Sequence, residues 1–451
     1  VSSAMVDGVV PYRDFLTDYP PMAMLIHALP RLLSDEVSFG VDMAINMAFQ
    51  LGTAILVAVV ASKWTKQRSL WVLGAVITLV WMWRYDGYRL ELEPMVICCT
   101  LAALLLLCRP RHTWQLVAAG VILGFAVAVK QYGAIPTVIL IGALFLTGEG
   151  TWWDRGRQAA VVSISVMSLL GLVVAGFWLS GVSPALMLSQ LHPGTYVGEG
   201  FPPLGYRARF LSQALWLLAV PALFLIPQWR QNRLFLLVCV LTLGFSSTLY
   251  IREFPHYFIQ IIPFSSLFLV VLLEAARQSS SRALTLASCI FSLLMLPFLL
   301  DLSGLLAYRL LLHEMEPHEA FAAHTGRPRQ RVHLSYTGQR QVCAQFRPCA
   351  RENQPVLVIS NPAYHAVCGY WPPTPELGFR FTSRMDPHLV AQALSEGPKA
   401  IIVEPAGLDY DRIARRFQQT IGTDLTTAMK EAGFTAQCEG AGGEISVWTK
   451  K

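Results

Sequence analysis

The sequence predicts a mainly α-helical membrane bundle followed by a small α/β domain. Of its 451 residues, 54% are hydrophobic and 14% are charged, whereas soluble proteins carry about 25% charged residues. Long apolar runs separated by short polar loops fill the chain up to residue 311, and an ordinary soluble composition follows. We therefore expect a membrane domain over residues 1–311 and a soluble domain of roughly 140 residues over residues 312–451.

Apolar runs locate the expected transmembrane helices, because about 20 apolar residues cross the hydrocarbon core of a bilayer. Ten runs are candidates, some of them short: 39–61, 69–83, 94–108, 114–130, 132–147, 159–180, 211–226, 233–249, 256–274 and 282–300. The polar break at 130–133 is either a tight turn between two spans or a polar interruption of one span.

Basic residues mark one alternating set of loops and thereby predict the orientation. Under the positive-inside rule these loops are cytoplasmic. Their basic residues are Lys63, Lys66, Arg68, Arg109, Arg111, Arg155, Arg157, Arg230, Arg233, Arg277 and Arg282. The other loops are longer or richer in acids, and we expect them on the non-cytoplasmic face together with the C-terminal domain.

The C-terminal domain alternates short apolar segments with helical patterns. Residues 356–359 and 400–403 are typical of buried strands, and residues 386–396 and 410–433 of helices. This alternation indicates a small α/β domain.

Four cysteines of this domain could form disulfides if it lies outside the cytoplasm. They are Cys343, Cys349, Cys368 and Cys438. The short separation of Cys343 and Cys349 favours that pair, and free buried thiols are the alternative. No C-x2-C spacing points to a metal site.

The first polar segment holds candidate site residues at positions 12–14. Tyr12, Arg13 and Asp14 precede the amphipathic segment 22–33. A carboxylate beside an arginine is suited to serve as a general base next to a phosphate clamp. The structural alternative is an ordered interfacial loop.

Glu93 opens the third span, immediately before Pro94. The helix dipole alone would favour an acid there, but ionisable residues at membrane depth usually mark functional sites. Asp86 and Arg89 in the preceding loop are further candidates for substrate binding.

Lys130 and Gln131 interrupt a long apolar stretch on the face where basic residues are scarce. A contact to a phosphate or sugar is favoured over a lysine that extends to the membrane surface. Arg252, His256 and Tyr257 open another span on the same face. Cations and carboxylates from several loops thus converge, as a site for an anionic lipid-linked sugar requires.

Several of these segments, in this order, resemble the GT-C superfamily of membrane glycosyltransferases, which use polyprenyl-phosphate sugars. The resemblance is strongest to bacterial relatives of protein O-mannosyltransferases (family 39) and of the lipid A aminoarabinose transferase. It is carried by residues 10–15 with Tyr19-Pro20-Pro21, Glu93, 124–133, 255–258 with Pro263, and 358–364 with Pro372-Pro373.

The resemblance implies inverting transfer from a polyprenyl-phosphate sugar to a lipid, glycan or protein acceptor at the non-cytoplasmic face of a bacterial inner membrane. It also implies that a first transmembrane helix and an acidic pair precede Val1, so Asp14 is the nearest visible candidate for the base and Glu93 matches a second acidic position. Lys130, His256 and Tyr257 fit positions near the lipid phosphate. The acids are compatible with a divalent metal, but no spacing demands one, and nucleic acid is not an expected partner.

The alternatives are a transporter or flippase of a sugar substrate, and an assembly protein whose soluble tail binds a partner.

Overall fold

The structure of the chain is a computed structural model. It describes residues 5, 8, 10–13, 20–29, 39–82, 92–108, 112–148, 150–191, 233–251, 259–278, 336–351, 354–359, 363–370, 373, 387–403, 408–440 and 445–450. Two predicted runs, 211–226 and 282–300, lie outside these residues, as does the predicted domain boundary at residue 311.

Helices make up the described N-terminal part, and their bounds follow the apolar runs. They are α1 (Pro21–Ala28), α2 (Phe39–Ser62), α3 (Arg68–Met82), α4 (Glu93–Cys108), α5 (Thr113–Val129), α6 (Ala134–Thr147), α7 (Trp152–Leu179), α8 (Pro184–Leu191), α9 (Arg233–Ile251) and α10 (Ile262–Gln278). Helix α7 starts earlier than the predicted residue 159, because Thr151 and Asp154 form a capping box at its N-terminus.

Two described helices are long and apolar enough to cross a membrane by themselves, over Ala44–Ser62 in α2 and over α7. Helices α3 to α6 have 14 to 17 residues. Buried side chains from α2 to α7, α9 and α10 form one apolar core. The described N-terminal part is therefore a helical bundle with a continuous interior.

The break at residues 130–133 is a tight turn between two helices. Lys130 is extended, at φ −155° and ψ 139°, and a 3-10 turn over Gln131–Gly133 leads into α6. A Cβ atom on Gly133 would lie 2.4 Å from the carbonyl carbon of Ala126, so the chain folds back against the end of α5. This position requires glycine.

A buried polar cluster joins α10 to the turn between α2 and α3, at the end of the bundle away from that break. Glu274 is 2% exposed and accepts a hydrogen bond of 2.8 Å from Thr65 Oγ1. Arg277 donates to both carboxylate oxygens of Glu274, at 2.7 and 3.1 Å. The cluster stabilises the packing of the two elements, and the sequence analysis assigned Glu274 no role.

Helices α5 and α7 approach each other closely along glycines of α5. A Cβ atom on Gly120 would lie 2.5 Å from Ser165 Cβ, and one on Gly124 would lie 3.1 Å from the Val166 carbonyl oxygen. Residue numbers increase together along both helices at this contact, so the helices run parallel and end on the same side of the bundle.

The described C-terminal part contains one mixed sheet of four strands in the order β1-β2-β4-β3. Its strands are β1 (Val356–Ile359), β2 (Ala400–Val403), β3 (Phe434–Gly440) and β4 (Ile445–Lys450). Strands β1 and β2 are parallel, and β4 runs antiparallel to both β2 and β3. The prediction of two buried strands at 356–359 and 400–403 is confirmed.

Helices cover both faces of this sheet, so alternate residues of β1 and β2 enter two different cores. Leu357 and Ile401 pack with helices α13 (Pro387–Glu396), α14 (Leu408–Ile421) and α15 (Leu425–Glu431). Val358 and Ile402 pack with helices α11 (Tyr336–Phe346) and α12 (Ala363–Cys368). Burial on both faces explains why these strands are continuous apolar runs.

Two expectations for this part are wrong. The predicted helix at 410–433 is two helices, because Gly422 adopts a φ of +87° and Asp424 caps α15 by accepting from Thr427 N. The predicted disulfide between Cys343 and Cys349 does not form. Cys343 pairs with Cys368, and Cys349 pairs with Cys438, because α11 packs against both α12 and β3, which are distant from it in sequence.

Candidate functional site

The bundle brings together two of the predicted site residues, Glu93 and Lys130, which form an ion pair. The Glu93 side chain is fully buried, and the Lys130 side chain is 16% exposed. Lys130 Nζ also lies 5.4 Å from the centroid of the Tyr132 ring, which is within the range of a cation–π contact. A buried carboxylate and a partly accessible ammonium group therefore share one location.

Helix ends hold this pair in place. Glu93 is the first residue of α4 and Pro94 the second, where proline loses no helical hydrogen bond. Lys130 follows the last residue of α5, and its N–H donates to Ala126 O at 3.1 Å. Since an acid at a helix N-terminus and a cation at a C-terminus both complement the helix dipole, the backbone favours both charges. Gln131 lies half-buried in the adjoining turn.

Tyr12 and Arg13 contact the C-terminal end of α7. Tyr12 is fully buried, and its ring meets that of Phe177 edge to face at 5.7 Å. Arg13 Nη1 donates to Ser180 O at 2.9 Å. Tyr12 has a φ of +66°, which is unusual for a bulky residue and frequent where structure is held for function. These contacts fix the segment that leads directly into Asp14.

The two groups of residues lie at different levels of the bundle. Gly124 of α5 packs beside Val166 and Leu169 of α7. From that contact, Lys130 is about 9 Å further along α5 and Ser180 roughly 18 Å along α7, at 1.5 Å per residue. The ion pair is therefore the deeper feature, and the Tyr12–Arg13 segment lies closer to the end of the bundle.

The remaining predicted site residues lie outside the part of the chain that the structure describes. They are Asp14, Asp86, Arg89, Arg252, His256 and Tyr257. Their assignments stay predictions.

A row of buried polar side chains on α2 was missed by the sequence analysis. Asn46, Gln50 and Thr53 are each fully buried. Thr53 Oγ1 donates to Phe49 O at 2.8 Å and lies 3.5 Å from Pro94 O, beside Glu93. The available signal was their spacing of four and three residues within an apolar run, which places them on one helical face.

No group of three or more His, Cys, Asp and Glu residues that could hold a metal ion occurs among the described residues. The pair at Glu93 supplies one carboxylate and an ammonium group, which is not a set of metal ligands. The chemistry available from this pair is binding of an anion and polarisation by charge.

Solved structures share the architecture of the chain. No protein-family model matches it, and no curated protein sequence does. ArnT from Cupriavidus metallidurans in the apo state matches with a TM-score of 0.56 and 14% identity, over 99% of this chain and 91% of that chain.

An archaeal oligosaccharyltransferase matches as well. AglB from Archaeoglobus fulgidus, in complex with an inhibitory peptide and a dolichol-phosphate, has a TM-score of 0.54 and 13% identity, over 95% of this chain and 67% of that chain. The apo form of the Archaeoglobus fulgidus oligosaccharyltransferase gives 0.55 and 12%, over 96% and 68%. The chain therefore shares the fold of ArnT and of the Archaeoglobus fulgidus oligosaccharyltransferase, as the resemblance predicted.

Proposed function

We propose that the chain is a polytopic membrane glycosyltransferase. It transfers a sugar from a polyprenyl-phosphate-linked donor to a lipid, glycan or protein acceptor, with inversion at the sugar carbon. The observation that carries the proposal is the buried ion pair of Glu93 and Lys130 within a fold that ArnT and AglB share. One of these neighbours is solved with a dolichol-phosphate, which supports a lipid phosphate as the ligand.

The ammonium group of Lys130 is suited to the donor phosphate. It is a compact charge with three N–H donors, and its partial exposure leaves it accessible to a ligand. Through the ion pair, the Glu93 carboxylate holds the ammonium group in the bundle before the donor binds. The lysine binds the phosphate oxygens, and the glutamate positions the lysine.

The reaction needs a base and a stabilised leaving group. A carboxylate takes the proton of the acceptor hydroxyl, and the acceptor oxygen attacks the anomeric carbon from the face opposite the phosphate. The bond from that carbon to the phosphate oxygen breaks, and the polyprenyl phosphate leaves with the electron pair. Lys130 stabilises the charge that develops on the leaving phosphate. Asp14 is the candidate base, and Glu93, the second acid that the sequence assigns to catalysis, acts by positioning Lys130.

Further residues are proposed to line the same site. Gln131 follows Lys130 in the chain, and Arg13 and Tyr12 come from the described segment at the C-terminal end of α7. Asp86, Arg89, Arg252, His256 and Tyr257 are proposed from the sequence alone. A hydroxyl acceptor and the sugar both need hydrogen-bond partners, and these residues supply donors and acceptors.

We place the site and the C-terminal domain on the non-cytoplasmic face of a bacterial inner membrane. Two observations support this orientation. The basic loops favour the opposite face as cytoplasmic, and two disulfides link Cys343 to Cys368 and Cys349 to Cys438. Disulfides of this kind persist in oxidising compartments and are rare in the cytosol.

Transfer assays on the full-length protein in lipid nanodiscs test the proposal. Polyprenyl phosphates with labelled sugars are offered with hydroxyl acceptors, and covalently transferred label is counted. We expect Asp14→Asn to lower turnover by on the order of 10² to 10⁴, the usual share of a general base. We expect Glu93→Gln and Lys130→Ala each to lower it by about 10² to 10³, as loss of a charge-stabilising contact does.

Glu274→Gln is the matched control, because Glu274 is also a buried, paired carboxylate but lies at the other end of the bundle. Its turnover should equal that of the wild type. Wild-type turnover in all three site variants would refute the site assignment. Movement of labelled lipid or sugar across proteoliposomes without covalent transfer would favour a transporter or flippase.

A further inference from the structure

The buried polar residues of α2 precede the buried apolar residues along one helical face. Asn46, Gln50 and Thr53 are fully buried, and further along the same face Val57 and Val60 are fully buried as well. The face thus changes from polar to apolar along the helix. Amide side chains inside an apolar span are costly and usually mark function.

A chain of contacts establishes which end of the bundle the N-terminal half of α2 occupies. Lys130 leads into α6, whose residue Ile135 lies against Gly244 of α9. The next residue of α9, Phe245, stacks on Phe264 near the start of α10 at 5.8 Å. The start of α10 is therefore at the end of the bundle that holds the ion pair.

The end of α10 lies at the opposite end, together with the end of α2. Glu274 of α10 contacts Thr65, three residues beyond α2. Helix α2 therefore begins at the ion-pair end and runs away from it, parallel to α4, which begins at Glu93. The N-terminal half of α2 is on the site's side of the bundle.

Thr53 fixes the level at which α2 meets Glu93. Its hydroxyl oxygen is 3.5 Å from the carbonyl oxygen of Pro94, the residue after Glu93. Gln50 precedes Thr53 by about 4.5 Å of helix and Asn46 by about 10 Å, at 1.5 Å per residue. Both amides therefore lie between the level of Glu93 and the end of the bundle at which α2 begins.

The lysine and the two amides are suited to different parts of the donor. A phosphate only accepts hydrogen bonds and suits Lys130. A sugar hydroxyl both donates and accepts, as does the amide of asparagine or glutamine. We propose that Asn46 and Gln50 bind the hydroxyl groups of the donor's sugar while Lys130 binds its phosphate. This assignment rests on the proposed function and adds the residues that select the sugar.

Binding measurements with and without the sugar test the assignment. The wild type and the variants Asn46→Leu and Gln50→Met, in nanodiscs, are titrated with polyprenyl phosphates that carry a hexose, a pentose or no sugar. We expect each variant to lose about three- to tenfold in affinity for the preferred sugar-bearing lipid, the usual effect of one uncharged hydrogen bond. Affinity for the sugar-free lipid should not change.

Two further variants separate recognition from packing. Gln50→Asn keeps the amide and shortens it by one methylene, so it should fold and still lose sugar-dependent affinity. Thr242→Val in α9 is the control, because Thr242 is buried, bonded to Val238 O and part of another helix. Its affinities should match those of the wild type.

The outcomes distinguish the two proposals. Equal losses for sugar-bearing and sugar-free lipid would mean that the amides only join helices, and unchanged affinities would also refute the assignment. A wild-type protein that transfers no sugar and binds both lipids equally would refute the proposed function, and this inference with it, before any variant is measured.

Discussion

Removing one or the other of the two disulfides should destabilise the C-terminal domain by different amounts. One variant replaces Cys349 and Cys438 with alanine, and the other replaces Cys343 and Cys368. Both partners are changed together so that no thiol is left unpaired. The disulfides close loops with sequence separations of 89 and 25 residues.

The magnitude follows from the chain entropy that each crosslink removes from the unfolded state. That entropy corresponds to about 4.6 kcal/mol for the long loop and about 3.5 kcal/mol for the short one. Domains are stable by about 5–15 kcal/mol, so either loss is a large share of the total. The difference arises only from loop length, since each variant removes one bond.

Hydrogen exchange of the full-length chain measures this loss of stability in the C-terminal domain. The amides of β2 and β4 are followed by mass spectrometry, because central strands exchange mainly through opening of the whole domain. We expect exchange to be faster by about 2,000-fold without Cys349–Cys438 and about 400-fold without Cys343–Cys368, at 1.36 kcal/mol per factor of ten.

Two results would refute this reasoning. Peptide mapping of the unreduced protein could recover a peptide joining Cys343 to Cys349, which would overturn the pairing. Equal exchange rates in the two variants would overturn the link between loop length and stability. Wild-type protein treated with reductant serves as the reference for losing both bonds.

Two other predictions concern single residues. Gly133→Ala should destabilise the bundle by about 1–3 kcal/mol through overpacking, because the added Cβ would meet the backbone of Ala126 at 2.4 Å. Thermal unfolding measures this loss, and Gly142→Ala, whose Cβ would have nothing within 4 Å, should not be destabilised; equal losses in both would refute the steric argument. Burial lowers the pKa of His365 to about 3 from 6.5, so the unfolded state binds the extra proton and stability of the domain falls as pH drops from about 6.5 toward 3. His365→Gln should flatten this slope in unfolding midpoints measured against pH, and an unchanged slope would contradict it.

The helices were largely predictable because a single local signal defines them. The run at 94–108 predicted α4, which spans Glu93–Cys108, since apolar side chains and Pro94 specify both the element and its start. The strand at 356–359 was predictable for the same reason, because both of its faces are buried. Strand β3 (Phe434–Gly440) lies at the edge of the sheet and mixes polar with apolar residues, so its signal is weak.

Pairings between distant segments were harder to predict. Glu93 and Lys130 were both chosen from the sequence, but their direct contact depends on the turn at Gly133 and the packing of α4 on α5. Cys349 was paired with its neighbour in sequence, whereas strand β3 carries its actual partner. Gln50 was overlooked because a span predicted from composition ignores single polar residues. Its spacing from Asn46 and Thr53 nevertheless places it on one helical face.

The glycine contact between α5 and α7 is the point about which a tilt of α5 would displace Lys130. Lys130 lies about 9 Å beyond Gly124 along α5, so a tilt of about 10° there would displace its backbone by about 1.6 Å. Misplacement of a reacting group by about 1 Å can cost on the order of 10² in rate. In the proposed reaction, the close packing that Gly120 and Gly124 permit would therefore limit the displacement of Lys130, although both glycines lie at some distance from the substrate.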